Sequence, residues 1–396
     1  MNVIRKAVRS RFCKGLPRKS EGDLLAILSD RSDWSRACAI MEMGCRPNGA
    51  FTKVLYGIIG DQSPAIRRQA AATLGKIGRS DFAEPLLERA RVERVDMTRF
   101  AMCVAAVQCG ADREQSRAVL AEAGARRLHG AYGSKTVGGL AGFGVATTDM
   151  LWGHIFGSGG ETNISSHARA REVLGFEPEN RDAVISLAVH CDRRDFDHLH
   201  GLWLAAGRRM RLTLVMAMGL HGDPRWLPFL VDALTAMDVD PAHGFALRSE
   251  AATALGRLGL KEGQAHLVRA LENEALDHEG RPGAGLGIQR PVRTHILGAL
   301  GELEGPSSVL LSYLGNTHGT VTGGFYLSAM YGLWKAADAS VLRKTLNGPA
   351  LPAANALGVL VALEGAQVAS AWRQDSRELV RLVAETYSDV EVIDVP

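Results

Sequence analysis

Long apolar runs, aromatic side chains, closely spaced cysteines and an excess of charge of either sign are all scarce in this chain of 396 residues. No stretch approaches the roughly 18 to 20 uninterrupted apolar residues that span a bilayer. Near its start Ile4, Ala7, Val8 and Phe12 are interrupted by Arg5, Lys6, Arg9 and Arg11, so no secretory apolar segment is read there. The cysteines Cys13, Cys38, Cys45, Cys103, Cys109 and Cys191 include no C-x-x-C pair and lack the dense spacing of a disulfide framework. They are expected to be buried thiols in a reducing compartment, which places the protein in the cytoplasm. With 46 basic and 43 acidic residues the formal net charge is only +3, so any electrostatic partner must read a local patch. What the chain does have is 46% hydrophobic residues, enough for a large core and too many for a disordered chain.

Self-similarity is the strongest signal. Three windows superimpose without a gap: Ile66 to Gly78 (IRRQAAATLGKIG), Leu247 to Gly259 (LRSEAATALGRLG) and Val292 to Glu304 (VRTHILGALGELE). Apolar residues recur as at Ile66, Ala70, Leu74 and Ile77, the stripe of an amphipathic helix rather than of a strand. The stripe is rich in small residues, which lets neighbouring helices approach closely. After each window a short break leads into a second apolar helix, as at Ser80-Asp81-Phe82-Ala83-Glu84-Pro85, where Ser80 or Asp81 is a candidate cap and Pro85 is tolerated in a first turn. Looser copies begin near Trp34, Thr98, Arg181, Arg209, Phe325 and Pro352, giving on the order of nine helix hairpins.

An Asp or Pro turn, an aliphatic-Arg step, an alanine-rich helix and Leu-Gly occur at Asp61, Pro64, Ile66, Arg67, Ala70, Leu74 and Gly75, and again at Leu247, Arg248, Ala251, Leu255 and Gly256. This pattern resembles the HEAT-repeat family, especially its short HEAT-like repeats of the phycobilin-lyase type. The resemblance implies an all-α fold: a right-handed α-solenoid, or superhelix, of stacked HEAT-like hairpins whose Arg-bearing helices line a concave face. The chain then divides into a basic N-terminal cap (1–33), HEAT-like repeats (34–125), a glycine-rich apolar insertion (126–175), further repeats (176–375) with a loop at 277–291, and a C-terminal cap with an acidic tail (376–396).

Arg67, Arg248 and Arg293 recur at one repeat position and are expected to bond an acidic or carbonyl group in the adjacent turn. The polar positions flanking the stripe are the groove candidates: Arg68, Gln69 and Lys76 in the first window, Glu250 and Arg257 in the second, His295 and Glu302 in the third. Deoxyhypusine hydroxylase is also built of HEAT-like repeats and carries a His-Glu pair after that step. Here the corresponding pairs are Arg68-Gln69, Ser249-Glu250 and Thr294-His295, and the only adjacent His-Glu, His278-Glu279, lies in a loop, so an iron centre is disfavoured. The segment from His190 to His200 is the densest set of potential metal ligands (His190, Asp192, His198, His200). It lacks a zinc spacing and reads as an inter-helix turn in which Asp195 caps the next helix.

Other motifs fail on context. Gly130 to Thr136 (GAYGSKT) is not a phosphate loop, since Lys135 does not follow a glycine and no strand is expected before it, and Gly283, Gly285 and Gly287 are no dinucleotide fingerprint. Leu140, Phe143, Val145, Met150, Leu151, Trp152, Ile155 and Phe156 are too apolar to be left in water and are expected to pack over the groove. Residues 1–20 form a basic stretch able to make weak contact with an anionic surface. No catalytic residue, metal or cofactor is expected. The reading is a non-catalytic scaffold or adaptor that holds a protein partner in its concave groove. The alternative is a phycobilin-lyase-like or chaperone-like module that holds a small apolar ligand or its acceptor protein, and near-neutral charge makes a nucleic-acid-binding solenoid the weakest option.

Overall fold

The computed structural model describes residues 12–13, 15–46, 49–125, 127–130, 133–136, 145–157, 164, 166–236, 241–273, 292–316 and 324–388. Residues 1–11, the stretch 137–144, the loop at 277–291 and the tail from 389 lie outside that set, and with them most of the basic stretch expected to meet anionic surfaces.

Each repeat window becomes a helix for local reasons. In the first, Pro64 supplies its fixed φ in the first turn, and Gly78, at φ 69°, ends the helix in the left-handed conformation. The first block comprises α1 (Glu21–Ile27), α2 (Asp33–Cys45), α3 (Gly49–Ile58), α4 (Pro64–Ile77), α5 (Ala83–Val92), α6 (Asp96–Gln108) and α7 (Arg113–Ala125). A hairpin of β1 (Arg127–Gly130) and β2 (Gly133–Thr136) follows, then α8 (Val145–Phe156) and α9 (His167–Phe176). The second block comprises α10 (Arg181–Val189), α11 (Phe196–Ala205), α12 (Arg208–His221), α13 (Leu227–Leu234), α14 (Pro241–Leu258), α15 (Gln264–Glu272), α16 (Val292–Glu302), α17 (Ser307–Leu311), α18 (Gly324–Ala336), α19 (Ala339–Thr345), α20 (Ala350–Glu364) and α21 (Glu378–Ser388). Among the described residues none of these helices is long and apolar enough to cross a membrane.

The helices alternate between two layers, the architecture expected of stacked hairpins. The inner row runs α2, α4, α6 and then α10, α12, α14, α16, α18, α20, with α8 touching both α6 and α10, so the stack continues across residues 126–175. Leu151 and Trp152 bury this helix into the core. Four glycines, three of them in Leu-Gly steps, set the spacing of the row. A Cβ on Gly75 would lie 2.9 Å from the Cα of Ala105, one on Gly219 2.8 Å from Ala254, one on Gly256 2.9 Å from Ala299, and one on Gly301 2.4 Å from Gly332. One close helix crossing therefore repeats along the row, sealed by Leu74, Leu255 and Leu300, each essentially fully buried and contributing about 2–3 kcal/mol of hydrophobic free energy.

Two local expectations are corrected. A strand does precede Gly130-Ala131-Tyr132-Gly133, but it pairs antiparallel with β2, Leu128 opposite Lys135, so Lys135 sits in a hairpin strand and not at a helix N-terminus. The hairpin packs on α20 through buried Leu128. At the second turn, Asp81 does not cap α5: its carboxylate takes the guanidinium of Arg79 instead, with Nε to Oδ1 at 2.9 Å.

The row also coils back on itself. Helix α2 packs against the 3-10 turns Arg193–Asp195, Pro224–Trp226 and Lys261–Gly263 of the second block. Trp34 donates its indole N–H to the Pro224 carbonyl at 3.0 Å, and Glu262 accepts from Ser32 Oγ and from the Trp34 amide. The first block thus lies across the C-terminal ends of the inner helices of the second.

Candidate functional site

Most of the groove candidates lie along this closure. Arg68 is 2% exposed: its Nη1 donates to the carbonyls of Gly219 (3.1 Å) and Arg257 (2.7 Å), and its Nη2 to that of Leu220. These carbonyls end α12 and α14, where no intrahelical donor remains and the helix dipole is negative, so one buried guanidinium satisfies both termini. Gln69 completes the contact by donating to the Gly222 carbonyl at 2.9 Å. Arg67, beside them, grips Glu93 and reaches Glu304 of the second block at 2.9 Å, while donating to the carbonyls of Asp61 and Gln62. Arg248 donates to the Ala236 carbonyl at 2.8 Å.

A second junction joins α6 to α16 and α18. Lys335 Nζ lies 2.6 Å from Glu302 Oε1 and 3.1 Å from Asp96 Oδ2, while the Tyr331 hydroxyl is 3.1 Å and 3.0 Å from the same carboxylates and Arg99 pairs with Asp96. Glu302 is 1% exposed, and burial, reinforced by Asp96, pushes its carboxyl up to about 7 against the pull of Lys335. Asp96 is lowered: burial, the largest single influence, works the other way, and Lys335 and Arg99 together overcome it. Arg257 is buried and pairs with half-buried Glu250 at 2.9 Å, where burial raises the Glu250 carboxyl despite its partner. His295 is half-buried with Nδ1 3.0 Å from Thr253 Oγ1, and Lys76 is exposed, its Nζ 3.5 Å from the Cys191 carbonyl. Arg68, Gln69 and Glu302 are therefore spent on joining distant parts of the chain, and Arg257 on a pair within its own helix.

A large opening with a varied lining lies elsewhere among the described residues, where α2 and the segment before it, together the first hairpin, meet the turns after α10 and α12. It encloses about 780 Å³, within the size range of ligand pockets. Trp34, Phe196 and Phe229 form its aromatic wall, and Arg193, Arg194, Arg225, Glu42, Asp197 and His200 its polar one. The two turns that build it share a sequence: His190-Cys191-Asp192-Arg193-Arg194 and His221-Gly222-Asp223-Pro224-Arg225. In each the aspartate accepts the backbone N–H of the arginine two residues on and a forked bond from its guanidinium. Residue two of each motif is left-handed, Cys191 at φ 52° and Gly222 at φ 71°. Arg194 holds the Asp192 carboxyl well below the usual carboxylate range, although burial opposes it most strongly, and Arg225 does the same for Asp223.

The guanidiniums are thereby oriented before any ligand arrives. Arg225 lies 3.7 Å over the Phe196 ring and donates to the Arg193 carbonyl at 3.0 Å. Arg193 bonds Glu42 and donates to the Cys13 carbonyl at 2.8 Å. The Asp195 side chain does not cap α11. It is fully buried and receives His167 at 2.6 Å and Arg171, while the cap of the preceding turn is Asp192. His221, buried, accepts from the Trp226 indole at Nδ1, which leaves Nε2–H to donate to the Asp192 carbonyl at 2.7 Å.

The potential ligands His190, Asp192, His198 and His200 do not converge. His190 lines a separate cavity with Arg68 and Lys76, where burial pushes its imidazole down to about 4. Asp192 is held by Arg194, His198 is exposed and His200 lines the cleft. Among the described residues no group of three or more His, Cys, Asp or Glu side chains is placed to hold a metal ion. Trp34, Phe196, Arg225 and Phe229 were not singled out from the sequence. The tandem His-x-Asp-x-Arg motif, unread in the sequence, is the signal that would have marked their neighbourhood.

Comparison with known families adds the decisive observation. Residues 22–106 match the model for HEAT repeats, and residues 247–273 match that for the PBS lyase HEAT-like repeat. The chain carries HEAT repeats. The two matches fall in the two blocks of the inner row, one on each side of residues 126–175. No curated protein matches this HEAT-repeat chain.

Proposed function

We propose that this HEAT-repeat chain is a non-catalytic scaffold that binds a protein partner, and that the partner docks in the cleft between the first hairpin and the turns after α10 and α12. The observation that carries the reading is the cleft itself: about 780 Å³, with aromatic faces beside arginines already oriented by their own aspartates. Aromatic and arginine side chains in a desolvated concavity are the usual anchors of an interface, and preorganisation lowers the entropy lost on binding. The groove positions that remain accessible, Lys76, Glu250 and His295, would serve as secondary contacts.

The test is affinity purification from the native host of the wild type, Arg194→Glu, Phe229→Ala and the control Arg169→Glu, with mass spectrometry of retained proteins and small molecules. A near-stoichiometric protein retained by wild type and control but lost from both cleft variants is the expected result. Equal retention by all four would refute the cleft as docking site. A pigment or lipid retained without a protein would favour a ligand-holding module instead, the reading to which the PBS lyase HEAT-like match lends support.

A further inference from the structure

One thiol in the wall of the cleft has a second thiol directly behind it. Cys13 and Cys38 lie with their sulfurs 3.7 Å apart, although 25 residues separate them in the chain. Phe12 packs at a tilt against Trp34 with ring centroids 5.5 Å apart, and Arg193 holds the Cys13 carbonyl, so the segment bearing Cys13 is fixed against α2, which bears Cys38. Cys38 is closed off in the core, whereas Cys13, though largely buried, lines the cleft. A small oxidant entering the cleft meets Cys13 first.

We propose that Cys13 and Cys38 form an oxidisable dithiol, in which Cys13 is the thiol attacked by peroxide from the cleft and Cys38 the resolving thiol that closes a disulfide. The environment favours this order. The hydrogen bond between the two sulfurs lowers the Cys13 pKa, and Arg225 and Arg193 add to the effect against burial and Asp223. Burial raises the Cys38, Cys45, Cys103 and Cys109 thiols, the last two to about 12 and about 11. The thiolate is the reactive form, so oxidation selects Cys13 from among these.

In the first step the Cys13 thiolate attacks one oxygen of hydrogen peroxide. The S–O bond forms, the O–O bond breaks and hydroxide leaves, giving the sulfenic acid. In the second, the Cys38 sulfur attacks the Cys13 sulfur. The S–S bond forms and the S–O bond breaks, and the hydroxide takes the Cys38 proton and departs as water. The two sulfurs together lose two electrons to the peroxide. Rotation of both side chains must close the sulfurs from contact to the ~2.0 Å of a disulfide. The product ties the N-terminal segment to α2 across one side of the cleft, whatever occupies it.

The experiment uses the reduced full-length protein, titrated with hydrogen peroxide, blocked with N-ethylmaleimide and mapped by non-reducing peptide mass spectrometry. A Cys13–Cys38 crosslinked peptide should appear before any other cysteine is modified. Dimedone should label Cys13 in Cys38→Ser and should not label Cys38 in Cys13→Ser. The oxidised wild type should melt a few degrees above the reduced form, since the crosslink restricts the unfolded chain. If Cys13 and Cys38 both remain fully alkylatable at peroxide doses that oxidise Cys45 or Cys191, or if Cys38 is the residue dimedone labels, the proposal is overturned. The wild-type titration decides the first point even if either serine variant fails to fold.

Discussion

Replacing Glu302 by Gln should remove one specific component of the pH dependence of stability. In the folded chain Glu302 is buried beside Asp96, Lys335 and Tyr331, and that burial pushes its carboxyl up to about 7 from an ordinary value of about 4.5. A carboxyl whose folded pKa is raised binds more protons folded than unfolded between those two values. Its contribution is therefore fully present below the unfolded pKa and is lost as pH rises through the folded one. At about 1.4 kcal/mol per pKa unit, the ~2.5-unit displacement corresponds to about 3 kcal/mol across the window. Histidines act in the opposite sense: His190, pushed down to about 4, makes stability rise with pH up to its unfolded value near 6.5, and His154 and His221 are lowered as well. The wild-type profile alone is thus a sum of opposing slopes, and the informative quantity is the wild-type minus Glu302→Gln difference. Gln keeps the shape of the neutral acid, so the difference should be flat below about pH 4.5. It should then move against the wild type by about 3 kcal/mol by about pH 8. Urea unfolding midpoints at intervals of pH, converted with a common m value, measure it. A difference that stays flat throughout, or moves in the wild type's favour as pH rises, would refute the assignment of a raised carboxyl to this junction.

Arg68→Met should cost about 3 kcal/mol in urea unfolding, because three carbonyls at the ends of α12 and α14 lose a charged donor in a buried setting; a loss under about 1 kcal/mol would show the contact to be dispensable. Gly301→Ala should destabilise by about 1–3 kcal/mol, since its Cβ would fall 2.4 Å from the Gly332 Cα of the adjoining helix. A neutral result in thermal melts would mean that α16 and α18 can separate freely. Ala337→Gly should stabilise by about 1 kcal/mol, because Ala337 holds φ 57° after α18 where glycine carries no Cβ penalty, and an unchanged or lowered melting temperature would contradict that.

The repeats were legible because their evidence is local. Alanine-rich windows with aliphatic residues at helical spacing, and glycines just past them, specify hairpins that can bury their faces only by stacking, and Leu74, Leu255 and Gly256 occupy the buried positions that pattern implies. The roles of Arg68, Gln69 and Glu302 were not legible. A polar residue flanking an apolar stripe has the same one-dimensional signature whether it faces water or faces another part of the chain. What decides is the curvature of the whole row, to which many inter-helix angles contribute and no single window does. Lys335 and Tyr331, one turn apart in α18, were one available hint of a buried polar cluster, but their partner Asp96 lies over 200 residues away.

The same reasoning explains why the cleft forms where it does. Both His-x-Asp-x-Arg turns follow an inner helix and use the same aspartate–arginine fork, yet only Arg225 lies on an aromatic ring while Arg194 remains 70% exposed along its side chain. The ring contact is made within the second block, by Phe196 of α11, and the first block adds to the asymmetry: α2 packs its Trp34 against the turn at Pro224 and its Glu42 against the arginine at 193. A stack that did not close would keep Arg225 on Phe196 but lose Trp34 and Glu42 from the wall. The concavity of the site thus depends on closure. Variants that open the closure, such as Arg68→Met, should weaken partner retention through the cleft even though residue 68 does not line it. A folded Arg68→Met protein that retains a partner at wild-type level would separate the two.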